Sequence, residues 1–461
     1  MTTTQAARKE NTMTTTQTAQ KEQLALQGGI KAVSTIEGKG RPKIGVEEFM
    51  SIAERFGLDS DSLAKIRVTV EAADWDAGPF LANYYSGLEE SKVQGFERIA
   101  RETFGSPYAS GVNSGTGALH CAFVAAGVGP GREVICPAIG FYATAAAVVM
   151  AGGVPVFCDV DNSVSMDVDA LIPLINERTV ALAPTHVMGN VCNMERIMDV
   201  AKEYKLKVVE DCAQACGGKF NGQYVGTFGD FGCFSISAYK IVGGGEGGLV
   251  LTKTERDWDA VNAVAEGGGL WRPTRFAPKR YDGELIVGTN YRMSELEACV
   301  DMIQLSKVNE TVGRFRHVKE TIVKQLASFA EITPQLRHDG GGDVGYQLRF
   351  FPNSVELADQ IAQALNAEGI ACSTRAGSDA PDWHIYYYMY PLKESFSCAC
   401  YTGDAEKTYE KGACPVADSL FDRMVSVSLN QWYSDSDCDH IAAGLNKVFK
   451  AYCAEESHKT W

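Results

Sequence analysis

Short apolar runs alternate with longer helical patterns between about residues 110 and 255. The segments between these runs, such as TGALHCAFVAAG and YATAAAVVMAGG, are typical of helices. Alternation of this kind predicts βαβ units and a mainly parallel sheet that is buried on both faces. The predicted strands are EVICP (133–137), VPVFCDV (154–160), TVALAPTHV (179–187), KVVEDC (207–212), FGCFSIS (231–237) and GLVLTK (248–253). An Asn-Gly turn in NGQYVGTFGD predicts a hairpin-like excursion before the fifth of them.

The pattern changes after Asn290. The stretch NYRMSELEACVDMIQLSKVNETVGRFRHVKETIVKQL predicts one or two long helices, with Leu296, Val300 and Ile303 on one face. Strand-like YQLRFF and VSVSL follow, with helical VELADQIAQALNAEG and a closing helix in DCDHIAAGLNKVFKAY. We therefore predict a large α/β domain over residues 40–300 and a smaller α+β domain over residues 301–455.

The N-terminal segment has a composition unlike the rest. MTTTQAARKENT is followed by the near-repeat MTTTQTAQKEQL, and neither copy has enough apolar residues to bury. We expect residues 1–28 to be a disordered extension.

Composition and charge exclude several classes of partner. The chain of 461 residues has a net charge of −15 and no basic patch, which argues against nucleic acid. No apolar run reaches the length of a membrane span. The 14 cysteines are scattered through apolar segments, which is typical of buried thiols in a reducing cytoplasm. The clusters Cys212/Cys216 and Cys398/Cys400/Cys414 lack the paired spacing of a zinc site, so no metal is predicted.

A glycine-rich turn in GVNSGTGALHCAF opens directly into a predicted helix. Free backbone amides there, with the helix dipole behind them, favour a phosphate group. Gly115, Thr116 and Gly117 would present those amides. An ordinary capped helix is the structural alternative for such a turn taken alone.

Three more polar or aromatic residues lie at or just beyond strand ends, where open α/β sheets bind ligands. Asp211 ends an apolar strand in VVEDCAQACG, and a carboxylate there needs a partner such as a protonated ring nitrogen. Gln214 lies in the turn that follows, within reach of the same ring. Phe141, in CPAIGFYATAA, could stack on a flat cofactor. Taken singly, Asp211 could instead be a helix cap or ion-pair partner, and Phe141 a core residue.

Lys240 lies between a strand and the glycines of FSISAYKIVGGGEGGLVL. A lysine in a partly desolvated site becomes a nucleophile towards carbonyl groups, although a lone lysine is usually a solvated charge. A phosphate site, a stacking aromatic residue, a strand-end Asp and a lysine, in this order, are the parts that hold pyridoxal 5′-phosphate. A dinucleotide loop is excluded because the glycines lead into a strand and not into a helix.

Six motifs together resemble the sugar aminotransferases of the DegT/DnrJ/StrS type, which are fold-type I enzymes dependent on pyridoxal phosphate. The resemblance covers roughly residues 90–330 and continues more loosely to the C-terminus. The motifs are FERIARETFGSPYASGVNSGTGALH, ICPAIGFYATA, PTHVMGN, VVEDCAQACG, GTFGDFGCFSISAYKIVGGGEGG and GTNYRMSELEA.

The resemblance implies roles for the residues around the cofactor ring. Lys240 matches the lysine that forms the Schiff base, and Asp211 matches the partner of the pyridine nitrogen. Gln214 matches the residue near the phenolic oxygen, and Phe141 the stacking aromatic residue. His186, in THVMGN, matches a position beside the cofactor.

The resemblance also implies phosphate contacts and an assembly. Gly115, Thr116 and Ser235 match phosphate contacts within one subunit. Asn290 matches a residue that the partner subunit contributes to the phosphate site, which implies a homodimer.

The implied activity is amino transfer from glutamate or glutamine to a keto sugar, a keto sugar acid or a cyclitol ketone. Some relatives carry histidine in place of the lysine and dehydrate ketosugars, so Lys240 favours transamination. A dehydratase or lyase on the same fold remains the alternative, and a non-catalytic small-molecule sensor a more distant one. The aromatic segment DWHIYYYMY departs from the commoner members, and longer members that resemble it include transaminases of eight-carbon sugar acids. His384 and Trp383 could line a substrate entrance there, or could be packing residues.

Overall fold

The computed structural model describes residues 23–33, 35, 44–73, 75, 81, 90–268, 286–376, 378, 380–394, 409–456 and 461. The chain divides into two compact units, residues 1–79 and 80–461, which are described separately. Most of the predicted disordered extension lies outside the described residues. A 3₁₀ turn, Ala25–Gln27, lies near the end of this extension. The predicted domain boundaries remain predictions.

The described residues of the first unit include two α-helices, α1 (Val46–Glu54) and α2 (Ser60–Glu71). Asp59 caps α2 by accepting a hydrogen bond from the Ser62 amide. Arg67 on α2 forms an ion pair of 2.7 Å with Glu47 on α1.

A seven-stranded sheet organises the second unit. Its strand order is β1-β9-β8-β5-β4-β2-β3, and the pairs from β8 to β3 are parallel, whereas β9 is antiparallel to both neighbours. The strands are β1 (Tyr108–Val112), β2 (Glu133–Pro137), β3 (Val154–Cys158), β4 (Thr179–Leu182), β5 (Lys207–Asp211), β8 (Phe231–Ser235) and β9 (Gly248–Thr252). A separate hairpin of β6 (Lys219–Phe220) and β7 (Gln223–Tyr224) precedes β8.

Successive side chains of these strands enter two different apolar cores. Val208 and Val209 on β5, for example, belong to opposite clusters, as expected for a sheet covered on both faces. The covering helices are α3 (Lys92–Phe104), α4 (Gly115–Ala125), α5 (Ala143–Met150), α6 (Val168–Leu171), α7 (Met194–Tyr204), α8 (Glu255–Ala265) and α9 (Glu295–Ser306).

A four-stranded antiparallel sheet organises the C-terminal part, in the order β10-β11-β13-β12. Its strands are β10 (Ile332–Pro334), β11 (Gln347–Pro352), β12 (Cys372–Thr374) and β13 (Val425–Ser428). The remaining helices are α10 (Val308–Val323), α11 (Val355–Ala367), α12 (Tyr390–Glu394), α13 (Pro415–Arg423) and α14 (Asp435–Tyr452). Phe350 of β11 packs on Phe449 of α14 with ring centroids 5.0 Å apart, at the centre of this smaller core.

The predicted α/β class, the six predicted strands and the hairpin are confirmed, with TVALAPTHV shortened to β4. Strand β1 was missed, because YASGV contains glycine and has no alternation. Among the described residues, no helix combines the length and apolarity needed to cross a bilayer. Nine of the 12 described cysteines are buried, while Cys398 and Cys400 lie outside the described part of the chain.

The predicted apolar face of α9 is not the face that packs inward. Leu296 and Ile303 are 46% and 48% exposed, whereas Ala298, Asp301 and Leu305 are buried. The reason is a close approach to the glycine loop after β8. A Cβ added to Gly244 would lie 1.7 Å from Asp301 Oδ1, so the carboxyl group fills the space that a side chain there would need.

Asp301 is fully buried, and neither of its carboxylate oxygens has a hydrogen-bond partner among the described residues. Burial, assisted by the charge of Glu297, raises the pKa of Asp301 from 3.8 to about 8. At this carboxyl the folded protein therefore holds one proton more than the unfolded chain between these two values. The contribution of Asp301 to the free energy of unfolding falls as pH rises through that window.

Replacing Asp301→Asn should remove this pH dependence. We expect the free energy of unfolding of the variant to exceed that of the parent increasingly from pH 5 to pH 8, by up to about 4 kcal/mol at the upper end. Chemical denaturation across this pH range measures the difference. The exposed Asp199 on α7 provides the control substitution, Asp199→Asn. Parallel pH profiles for Asp301→Asn and the parent would show that the buried carboxyl is not protonated.

Candidate active site

Lys240 lies in a loop, residues 237–247, whose two ends are fastened together. The Ile236 amide donates to the Gly247 carbonyl at 2.9 Å, and the Ala238 amide donates to the Gly245 carbonyl at 2.8 Å. Gly247 has a φ of +151°, a backbone conformation that favours glycine. The loop therefore holds the lysine in place even though its glycines are conformationally permissive.

Lys240 is only partly exposed. Burial lowers its pKa below the usual lysine range, and the negative charge of Asp211 partly offsets this effect. A larger fraction of Lys240 is consequently a free amine at neutral pH than of a solvated lysine. A free amine is the form that attacks a carbonyl carbon.

Asp211 ends β5 and is 3% exposed. Its Oδ2 accepts a hydrogen bond of 2.5 Å from the Thr144 hydroxyl at the start of α5, and its Oδ1 accepts one of 3.0 Å from the Ala213 amide. These two bonds hold the carboxylate in one orientation. Thr144 was missed in the sequence, where its only signal is a hydroxyl group within an apolar helix.

The predicted phosphate site forms where α4 begins. Ser114 caps this helix by accepting a hydrogen bond of 3.0 Å from the Gly117 amide. A Cβ added to Gly115 would lie 2.6 Å from the Cβ of Ser235, so the helix start and the end of β8 are in contact. Thr116 is exposed beside them. The amides of Gly115 and Thr116, for which the described residues provide no hydrogen bond, and the hydroxyl of Ser235 thus meet in one place, as an anion site requires. The Gly117 amide, predicted for the same role, is instead occupied by Ser114.

The segment after β2 pairs with the aromatic segment of the C-terminal part. The Gly140 amide donates to the His384 carbonyl, and the Tyr142 amide donates to the Trp383 carbonyl, both at 2.9 Å. Phe141 is 41% exposed, and its ring centroid lies 5.3 Å from that of His384. The predicted residue Phe141 therefore lies beside the predicted pair Trp383 and His384, which is far from it in the sequence.

A cavity of about 740 Å³ contains Lys240, Gln214 and His384 in its wall. Trp383 and Phe141 are not among its lining residues. Two arginines of the C-terminal part also line the cavity, Arg349 on β11 and Arg375 just after β12. Neither arginine was predicted from the sequence. The loop of the lysine and the C-terminal sheet thus both contribute to the wall of one cavity.

His186 is fully buried, and both of its ring nitrogens have protein partners. Nδ1 accepts a hydrogen bond of 3.1 Å from the Cys192 amide, and Nε2 lies 3.2 Å from Glu210 Oε2. Neither nitrogen remains for a ligand, so the predicted position beside the cofactor gains no support from its hydrogen bonds. The role of His186 remains a prediction.

His186, Glu210 and Cys212 are spaced closely enough to hold a metal ion. The carboxylate of Glu210 is satisfied without one, because it accepts three backbone hydrogen bonds of 2.7–2.8 Å, from the amides of Gly226, Phe228 and Gly229. Burial raises the pKa of Cys212 well above its usual value, which disfavours the thiolate that binds metals. These residues therefore fit a structural, hydrogen-bonded role better than a metal site.

Asn290 lies apart from these residues, on the exposed stretch before α9. It forms a backbone bridge with Glu266, and its side-chain oxygen accepts a hydrogen bond of 3.3 Å from the Arg292 amide. It is exposed and does not line the cavity. Within one subunit, the structure therefore does not bring Asn290 together with Lys240.

The sequence profile of the DegT/DnrJ/EryC1/StrS aminotransferase family matches residues 86–446. The chain belongs to this family. Enzymes of this family are aminotransferases that use pyridoxal 5′-phosphate as their cofactor, and this chain is one of them. Two structures with the same fold contain this cofactor or its pyridoxamine form.

Named relatives of this aminotransferase act on sugars. It is 38% identical to the GDP-perosamine synthase of Caulobacter vibrioides, over 77% of this chain and 89% of that protein. It is 32% identical to the UDP-N-acetyl-3-dehydro-alpha-D-glucosamine 3-aminotransferase of Acidithiobacillus ferrooxidans, over 81% of this chain and 90% of that protein. The match to the GDP-perosamine synthase of Escherichia coli O157:H7 is 35% identical but spans 64% of that protein.

An aminotransferase structure from Psychrobacter cryohalolentis has the same fold. The two superpose with a TM-score of 0.67 and 24% identity, covering 85% of this chain and 96% of that one. This likeness confirms the fold-type I architecture of the aminotransferase.

The residues of this aminotransferase fit the cofactor. A Cβ at Gly115 would close the contact with Ser235, so glycine keeps the anion cradle open. The ring requires a negative charge at its nitrogen and a nucleophilic amine, and the oriented carboxylate of Asp211 and the partly desolvated amine of Lys240 are groups of these two kinds.

Proposed function

We propose that this enzyme transfers an amino group from glutamate or glutamine to the ketone of a sugar-like acceptor, with Lys240 as nucleophile and proton carrier. The observation that carries the proposal is the state of Lys240. Its amine has a lowered pKa and lies in the same cavity wall as Gln214. An amine that titrates below the usual lysine range can both accept and return a proton during turnover.

The other residues of the site then have distinct tasks. Asp211, held by Thr144, would keep the pyridine nitrogen protonated. Gln214 would contact the phenolic oxygen, and Phe141 would stack on the ring. The cofactor, when bound, supplies an electron sink for the substrate carbon. Gly115, Thr116 and Ser235 would contact the phosphate.

The acceptor we propose is a ketone on a nucleotide-linked sugar. The relatives that support this are named for GDP-linked and UDP-linked sugars. A keto sugar acid and a cyclitol ketone are the competing acceptors, and a screen with purified ketones separates the three.

Absorbance of the purified enzyme tests the proposed activity directly. The yellow band of bound pyridoxal phosphate should convert to the pyridoxamine form on addition of glutamate or glutamine, with one keto acid released per cofactor. A dehydratase or lyase would not release stoichiometric keto acid. A protein that stays colourless after incubation with pyridoxal phosphate would favour the sensor alternative.

The proposed enzyme is a homodimer in which Asn290 completes the phosphate site of the partner subunit. Two observations support this arrangement. Asn290 is exposed and absent from its own cavity, and α9, which begins five residues later, presents Leu296 and Ile303 to the surface. An exposed apolar stripe beside an incomplete site fits a two-fold interface. A cytoplasmic location also stays a prediction.

Mixing two inactive variants tests the shared site. If Asn290 acts across the interface, each site combines Lys240 of one subunit with Asn290 of the other. A mixed dimer of Lys240→Ala and Asn290→Asp subunits then has one site with both residues intact and one site with both replaced. Coexpressed variants should then recover about a quarter of the parent activity, because half of the dimers are mixed and each has one intact site. No recovery in confirmed mixed dimers would place Asn290 in the site of its own subunit.

A further inference from the structure

The loop of Lys240 packs on the carboxyl group of Asp301. A Cβ added to Gly244 would lie 1.7 Å from Asp301 Oδ1, and one added to Gly247 would lie 2.5 Å from Asp301 Oδ2. Both oxygens of one carboxyl group therefore lie against the backbone of the loop that carries Lys240. Asp301 occupies the space that two side chains of this loop would otherwise fill.

The second half of the loop has little else to fix its conformation. Four of the five residues from 243 to 247 are glycines, which have the widest choice of backbone conformations. The remaining residue is Glu246, whose amide donates a hydrogen bond to the Glu297 carboxyl group. Glu297 lies one turn before Asp301 on α9. This helix therefore contacts the loop through both acidic side chains.

The Asp301 carboxyl is buried without a polar partner among the described residues. A charged carboxylate is costly in such a place, so the neutral form is favoured. Burial, assisted by the charge of Glu297, accordingly raises the pKa of Asp301 to about 8. An apolar side chain would fill the space beneath the loop equally well. A carboxyl group differs from it in that it can gain a charge near neutral pH.

The charged groups around Asp301 do not compensate that charge. Glu297 acts on it from its own helix, and Glu246 faces Glu297 from the loop. On α3, which packs against α9, the buried acid Glu97 accepts a hydrogen bond of 2.9 Å from the Gly111 amide. These three groups are all acidic.

A cation of α3, Lys92, acts on Cys299 of α9. Cys299 points to the other side of the helix, because two residues turn a helix by about 200°. Among the described residues, no cation is therefore paired with Asp301. When its carboxyl ionises, water or backbone amides must solvate the charge, and the nearest backbone is that of the glycine loop.

We propose that Asp301 is a positioning residue for Lys240: its neutral carboxyl supports the glycine half of the loop, and its ionisation loosens the loop. The inference rests on the proposed amino transfer, which gives Lys240 its reactive role. Asp301 does not line the cavity, so it acts only through the backbone of the loop. The support is complete below the pKa of Asp301 and is lost as pH rises through about 8.

Hydrogen exchange of the loop in the holoenzyme tests the support without reference to activity. Asp301→Asn keeps the shape of the side chain but cannot ionise. Exchange of the segment 241–247, corrected for the intrinsic pH dependence, should accelerate in the parent as pH rises through about 8. It should stay constant in Asp301→Asn. Asp199→Asn, on the exposed side of α7, is the control and should follow the parent.

The rate of cofactor conversion with glutamine gives the second measurement. The ratio of the parent rate to the Asp301→Asn rate cancels the titration of Lys240 and of the donor amine, which both enzymes share. This ratio should fall above pH 8, by up to roughly 100-fold, the effect expected when a reacting group is displaced by about 1 Å.

Exchanging the two partners of the contact tests the packing itself. Gly244→Ala places a methyl group where Asp301 Oδ1 lies, whereas Asp301→Ala leaves a void beneath the loop. The φ of Gly244 is not positive, so alanine is compatible with its backbone. Each single variant should convert the cofactor roughly tenfold more slowly than the parent at pH 7. The double variant should recover most of this loss, because the new methyl group occupies the void.

The possible results separate the proposals. Loop exchange and a rate ratio that stay constant through pH 8 would overturn the role of Asp301, as would a double variant no faster than the slower single variant. A loop that loosens above pH 8 in a protein that transfers no amine would support the role of Asp301 and refute the proposed transamination. If Asp301→Ala does not fold, the exchange comparison with Asp301→Asn decides, because the amide preserves the packing.

Discussion

An enzyme with Lys240→Ala should bind pyridoxal phosphate but transfer amino groups roughly 10³-fold or more slowly than the parent. The substitution removes the nucleophile and the proton carrier at once. The phosphate cradle at Gly115 and the carboxylate of Asp211 are unchanged, so the cofactor should still bind. Stopped-flow absorbance with glutamine measures the conversion, and dialysis followed by cofactor assay measures occupancy.

Lys202→Ala provides the control for this prediction, because Lys202 is an exposed lysine on α7. Its transfer rate should match that of the parent. Substantial turnover in the Lys240→Ala variant would exclude Lys240 as the reacting amine. It would also remove the main support for the proposed mechanism.

The second large effect is expected for Asp211→Asn, with a loss in transfer rate of roughly 10²- to 10³-fold. Asparagine preserves the shape and can still bond to Thr144 and to the Ala213 amide, so the cofactor should remain bound. The lost feature is the negative charge, which favours a protonated pyridine nitrogen. The rate of cofactor conversion with glutamine measures the effect.

Thr144→Val separates charge from orientation. This variant keeps the Asp211 carboxylate but removes one hydrogen bond that orients it, so the expected loss is smaller, roughly tenfold. Asp230→Asn, at the surface ion pair with Lys207, should leave the rate unchanged. A rate for Asp211→Asn within a few fold of the parent would show that the ring does not need this charge.

Local patterns predict the large sheet well, and they single out several residues at one edge of it. Strand runs are strongly apolar, and residues at the carboxyl ends of neighbouring parallel strands meet at one edge. Asp211, at the end of β5, and Gln214, in the turn that follows it, could therefore be singled out. The loop after β8 extends from the same edge and presents Lys240. These residue choices remain predictions until the variants are measured.

The cavity residue Arg349 could not be found in this way, because only the folded chain shows which strand of the C-terminal sheet lines the cavity. An arginine in YQLRFF has no periodic signal, and its neighbours Ser426 and Met188 are far away in the chain. The prediction of which face of α9 packs inward was wrong for a related reason. Its apolar stripe has the helical period, but the buried face is decided by the close approach of Asp301 to the glycine loop.

The cavity wall has two origins, the loops of the seven-stranded sheet and the strands of the C-terminal sheet. The first set holds Lys240, the proposed reacting amine, and under the same proposal the second set would surround the substrate. Enzyme engineering can exploit this division, because new acceptors can be sought by varying β11 to β13 while the loop of Lys240 is left intact. Chimaeras that exchange the C-terminal part between family members would then inherit the chemistry of one parent and the substrate range of the other.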